Sequence, residues 1–133
     1  MNAVERLGRA MAEMPQAELD TDHYFADGMY ARSLFRPAGT LIVGKVHKKE
    51  HFYIIASGCV DVTTDHGLER IHGPRIIISK PGTQRAVLAI EDSLCITIHR
   101  TDQKELADIE KELVEPCDYA LFNEQNRLLE VKK

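Results

Sequence analysis

Apolar residues alternate with polar ones through the middle of this chain and fall at helical spacing only towards its ends. Val4, Leu7, Met11 and Met14 recur at three- and four-residue intervals, which predicts a helix over Val4–Glu13, ended by Pro15. "AELDTDHYFADG" is polar and turn-rich and reads as a linker. From Met29 to His99 the period is that of strands: "MYARSLF", "LIVGKVH", "FYIIASG", "CVDVTT", "LERIHG", "RIIIS", "RAVLAI" and "LCITIH". The Gly- and Pro-bearing turns "RPAGT" and "KPGTQ", together with "DHG" and a hairpin "EDS", separate them. Roughly eight short strands at this spacing predict an all-β sandwich or barrel. After Thr101 the period lengthens again. Leu106, Ile109 and Leu113 form one stripe of a helix, with Asp102 as its N-cap and Pro116 as its stop. "DYALFNEQNRLLEVKK" reads as a second helix. The expected organisation is a helix and linker over 1–28, a barrel over 29–101, and helices over 102–133 that pack on the barrel or on a partner.

Composition narrows the function classes. A chain of 133 residues is one domain and can bury a core without disulfide staples. Cys59, Cys95 and Cys117 are far apart and form no CxxC pair, so neither a zinc knuckle nor a disulfide framework is indicated. A net charge of −4 and a pI near 5.8 argue against a nucleic-acid polymer or an anionic membrane as partner. No apolar run approaches the length of a membrane span, and the charged N-terminus lacks the apolar core of a secretory signal. The expected compartment is the cytoplasm. No GxSxG, Walker loop or GxGxxG is present.

Within the strand region, "GKVHKKEHFYIIASG" spans Gly44 to Gly58. It resembles the first motif of the cupins, in which a Gly, His-x-His and a later Glu precede a closing Gly. His47 falls at the second histidine, His51 at the glutamate and Lys45 at the first histidine. "GPRIIISKPGTQRAVLA" resembles the second cupin motif, with Arg85 at the histidine position and Ala89 at the asparagine. The resemblance covers about half of the chain. It implies a mainly β fold, a double-stranded β-helix of cupin or jelly-roll type, with a short N-terminal helix and C-terminal helices. The "GKVHKKEH" and "TIH" stretches are also similar to small cupin-like proteins of bacteriophages. A more distant resemblance is to cyclic-nucleotide-binding β-rolls, through "FRPAGTLIVGKVHKKEHFYIIASGCVDVTTDHG" and "RAVLAIEDSLCITIHR". There Arg85 would be the phosphate-binding arginine, but no Gly-Glu pair precedes it here.

Strand alternation and the cupin pattern together give the expected pocket. Lys45 and His47 share one parity; His51, Tyr53 and Ile55 share another, with Phe52 and Ile54 outside. Arg85, Thr97 and His99 face inward by analogy. One reading is a divalent metal (zinc, manganese, iron or nickel) held by His47, His51 and His99. The other is a metal-free pocket whose histidines hydrogen-bond within it, because the cations Lys45 and Arg85 repel a metal ion. Lys45, His47, His51, Tyr53, Arg85 and Thr97, with Arg32 as a further candidate, would line a site for an anionic nucleotide- or sugar-phosphate-like ligand. Alternatively Arg85 makes a structural salt bridge with Glu50, Glu91 or Asp92. His51 as base and Tyr53 as acid are the candidate catalytic pair of a cupin-type enzyme, metal-dependent or a sugar-nucleotide epimerase or isomerase. The phage and cyclic-nucleotide resemblances suggest a protein that sequesters or degrades a cyclic-nucleotide defence signal. Cys59 and Cys95 read as core, His66 and His72 as solvated, and His23 as part of the polar linker. The outward Phe52 and Ile54 need a cover, and a homo-oligomer, most simply a dimer, is the expected one.

Overall fold

The structure is a computed structural model and describes residues 2–13 and 18–116. A helix, α1 (Ala3–Met11), precedes nine strands: β1 (Thr21–Ala26), β2 (Met29–Arg36), β3 (Leu41–Val43), β4 (His51–Ser57), β5 (Cys59–Thr64), β6 (Gly67–His72), β7 (Arg75–Ser79), β8 (Ala86–Ala89) and β9 (Ser93–Arg100). A second helix, α2 (Leu106–Leu113), follows. The strands form two antiparallel sheets, one ordered β1-β2-β9-β4-β7 and the other β3-β8-β5-β6. This is the expected jelly-roll barrel. The second C-terminal helix expected over 118–133, and Cys117, lie outside the described residues.

The period of two along each strand decides what fills the barrel. On β4, His51, Tyr53 and Ile55 are buried while Phe52 is exposed. Ile55, Val60, Val62 and Cys95 are at most 2% exposed and pack with Tyr53, Ile71 and Val87 into the core between the sheets. Outward positions carry cross-strand polar pairs, such as Asp61 opposite Arg70 on β5 and β6.

The chain passes between the sheets at both ends of the barrel, through the β3–β4 and β7–β8 connections at one end and through the others at the opposite end. β4 hands over to β5 at Gly58, β6 to β7 at Gly73–Pro74, and β8 to β9 through Ile90–Asp92. These crossings are tied together: Gly73 N–H donates to the Gly58 carbonyl at 2.9 Å and Ile90 N–H to the Cys59 carbonyl at 2.9 Å. Gly58 has φ +90°, and a Cβ there would lie 2.3 Å from Ser93 Oγ and 2.4 Å from the Asp92 carbonyl oxygen. Glycine is required on both counts. "EDS" is therefore not a hairpin: β8 and β9 belong to different sheets, and the turn between them is a crossing.

Three other expectations change. "AELDTDHYFADG" contains β1, whose Thr21, His23 and Phe25 face inward as neighbours of β2. Polar residues hid it, since an edge strand needs only one covered face. "LIVGKVH" is a strand only to Val43, after which the chain leaves the sheet. Asp102 does not cap α2, whose N-cap is Glu105 with no side-chain hydrogen bond. Ile109 and Leu113 of α2 do form the expected stripe and are buried against Tyr30. They place α2 across the end of the barrel opposite Gly58.

Candidate metal centre

Strand register lays inward side chains in rows across the five-stranded sheet. The row nearest α2 holds Phe25, Tyr30 and His99, paired in that order. The register that sets Phe52 against Ile98 brings His51 alongside His99. One row further in are His23, Arg32, Thr97 and Tyr53, and beneath them Leu34, Cys95 and Ile55. Two histidines thus meet because adjacent strands carry them at the same level.

His47 reaches the same place from outside any strand. Beyond β3, Gly44 N–H bonds the Arg85 carbonyl at 3.0 Å and His47 N–H bonds the Thr83 carbonyl at 3.1 Å. On its other side this loop is fastened to α2 and the residues after it. His47 bridges Val114, Lys48 N–H donates to the Leu113 carbonyl at 2.7 Å, and Glu115 N–H donates to the Val46 carbonyl at 2.8 Å. The loop is held at both edges, and His47 projects over the histidines of β4 and β9.

The three imidazoles form a compact group. Ring centroids of His47 and His51 are 4.3 Å apart, of His51 and His99 4.4 Å, and of His47 and His99 5.3 Å. One ligand atom from each lies within 4.8 Å of the others. His51 Nδ1 is 3.1 Å from the Lys49 carbonyl oxygen, so it carries the proton and leaves Nε2 as a lone-pair donor. His47 Nδ1 is buried and makes no hydrogen bond. Burial first, then the charges of His51, Arg32 and Arg85, lowers the His47 pKa to about 3. Burial, then His51, His47 and Arg32, lowers His99 to about 3. Burial also lowers His51, against the opposing pull of the Lys49 carbonyl. All three rings are neutral at pH 7, which is the form that coordinates a metal. The donor set fits a divalent ion.

The two cations expected beside this group are both engaged elsewhere. Lys45 pairs with Glu110 of α2, each side chain about 30% exposed. Among the described residues Arg85 forms no salt bridge. It donates to Ser79 Oγ at 3.0 and 3.3 Å and to the Thr63 carbonyl at 2.9 Å, and its guanidinium lies 5.7 Å from the Tyr53 ring centre. It also lines an open cleft of about 170 Å³ between the β5–β6 turn and β7, with Arg75 and Lys80 at the rim. Glu50 and Glu91 take no part in holding it, and Asp92 instead accepts from Ala38 N–H at 2.9 Å.

Tyr53 and Thr97 are opposite one another in the second row, as expected of lining residues. The Tyr53 hydroxyl is buried with only the Cys95 thiol as a weak partner, and burial pushes its pKa up, with Cys95 adding and Arg36 and Arg85 opposing. His23 lies in β1 rather than in a linker, and its Nδ1 is 2.6 Å from the Tyr30 hydroxyl. His66 and His72 are exposed, and Cys59 and Cys95 are core. Sequence reasoning missed Arg36 and Tyr30. The signal was present, since Tyr30, Arg32, Leu34 and Arg36 share one parity of "MYARSLFR".

No protein-family model matches this sequence, and no curated protein matches it. Solved structures do. KdgF from a Halomonas species superposes with a TM-score of 0.58 at 13% identity, over 73% of this chain and 90% of that one. A cupin superfamily protein from Desulfitobacterium hafniense gives 0.55 at 11%, over 71% and 87%. An acetylacetone dioxygenase from Acinetobacter johnsonii gives 0.53 at 14%, over 65% of each chain. The fold of this chain is therefore the cupin fold.

Proposed function

Starting from a cupin barrel with three histidines at one end, we propose that this protein binds a small anionic molecule beside a divalent metal ion held by His47, His51 and His99. The observation that carries the reading is the convergence of three neutral imidazoles within 4.8 Å, one with its tautomer set by a backbone carbonyl. An all-nitrogen set suits zinc, iron, nickel or manganese and leaves coordination positions for a ligand. Such an ion would supply Lewis-acid polarisation of a ligand oxygen. Arg32 and Arg85, whose charges reach His47, favour an anion in the same space.

Elemental analysis of untagged protein tests it, beside a His47→Ala, His51→Ala double variant. Near-stoichiometric metal in the parent and none in the variant is expected. No metal in either, after incubation with salts of all four ions, would return the histidines to the role of pocket-lining groups.

A metal-dependent enzyme is the second reading. It is favoured by the shared fold with a dioxygenase and by the placement of His51 and Tyr53 on the same face of β4. Turnover on a panel of small organic acids, lost in His51→Ala with the fold intact, is its signature.

The outer face of the five-stranded sheet supports self-association. Phe52, Ile76 and Ile78 are 47–63% exposed and adjoin Ile54, Ile96 and Ile98 with no charged residue among them. A flat apolar face without charges is self-complementary about a two-fold axis, so a second copy is the proposed cover.

A further inference from the structure

Arg36 is buried in the barrel and Arg32 is half-buried beside it, neither with a counter-ion among the described residues. Both sit on inward-facing positions of β2, and Arg36 is only 7% exposed. Nε of Arg32 and Nε and Nη1 of Arg36 are shielded from solvent and make no hydrogen bond. Neither side chain forms an ion pair among the described residues. The inward positions of β1, β2, β9 and β4 include no acid at all. Glu110, the acid whose field reaches Arg32, is tied to Lys45. A buried charge is ordinarily paired, because desolvation without a partner costs several kcal/mol.

The orphaned donors point to one place. Arg36 is paired with Ser93 on β9 and Tyr53 with Thr97, four residues or about 13 Å apart along that strand. Yet the Arg36 guanidinium lies 5.9 Å from the Tyr53 ring centre. The two side chains therefore approach each other along the barrel axis. Arg32 is one row below His99 and opposite Thr97, which is itself opposite Tyr53. The buried Tyr53 hydroxyl, with only the Cys95 thiol beside it as a weak partner, adds a donor to this set. Beneath it Ile55, Val60, Val62 and Cys95 close the barrel.

We propose that Arg32, Arg36 and Tyr53 form an anion subsite under the three histidines, and that it takes the carboxylate of a small organic acid. A carboxylate is planar, accepts only, and matches the guanidinium fork. The proposal deepens the reading above by naming the ligand class: one end of the acid bonds the arginines while the other lies at the histidines. The two readings fail separately, because the arginines bind without metal.

Thermal unfolding of chelator-treated protein with oxalate, malonate, succinate and inorganic phosphate is the test. At least one dicarboxylate raises Tm by several degrees, and Arg36→Met and Arg32→Met abolish the rise. Without anion, Arg36→Met unfolds at a higher temperature than the parent, since it removes an unpaired buried charge. Arg36→Lys keeps the charge, loses the fork, and weakens the response at least tenfold in apparent Kd. A shift with phosphate and none with the acids overturns the carboxylate assignment. No shift with any anion, or an unchanged shift in both Met variants, overturns the subsite. If metal binding fails while the acids still stabilise the chelated protein, the subsite stands without the metal.

Discussion

The rings of His47 and His51 lie 4.3 Å apart, although one belongs to a loop clamped by α2 and the other opens β4. Their meeting depends on how α2 is docked. Ile109 and Leu113 are 4% and 3% exposed against Tyr30. Leu113→Ala should destabilise the protein by about 2–5 kcal/mol. It should also speed metal release, because the Lys48–Leu113 bond anchors the His47 loop. Chelator-competition kinetics beside urea unfolding would separate the two effects, and an unchanged release rate would uncouple α2 from the site.

The metal-free protein should lose stability on mild acidification. His47 and His99 titrate near 3 in the fold and near 6.5 when unfolded. Between those values the unfolded chain binds more protons than the native one, so stability rises with pH through this window and levels off above it. The slope is at most about 1.4 kcal/mol per pH unit for each histidine. Urea midpoints measured in chelator should fall from pH 7 to pH 5, and fall less in a His47→Gln, His99→Gln variant. Identical midpoints across that range would mean that the rings are more solvated than their burial indicates.

Gly58→Ala should be among the most damaging single substitutions. It combines a φ of +90° with a Cβ placed 2.4 Å from a backbone oxygen, at the point where β4 crosses to β5. Gly67→Ala shares the positive φ, +101°, but meets nothing within 4 Å. Strain alone should cost about 1–3 kcal/mol at Gly67, with a larger loss at Gly58. Comparable Tm values for the two variants would contradict the close approach at the crossing.

Phe52→Asp should leave the barrel folded and shift the protein towards monomer in sedimentation velocity. The side chain is 47% exposed, so its loss removes little from the core. A parent that is already monomeric at high concentration would rule out the two-fold interface.

Much of the barrel is legible in the sequence because the period of two is a local property. "FYIIASG" and "CVDVTT" show which residues of β4 and β5 share a face, and Gly58 marks the break between them. His51 and Tyr53 could be placed inward from that parity together with the cupin resemblance. Parity cannot say which strands become neighbours. His99 joined His51 through the β4–β9 register, and "EDS" became a crossing because β8 and β9 pair with different partners. His47 owes its position to a loop held by α2, far away in the chain. Lys45 shares the parity of His47 but found an acid on that same helix. Arg36 meets Tyr53 through the combined reach of the two side chains, from Cα positions well apart along the barrel. Local alternation fixed the faces; long-range pairing and side-chain reach, which depend on the whole chain folding at once, decided which groups share the barrel's interior.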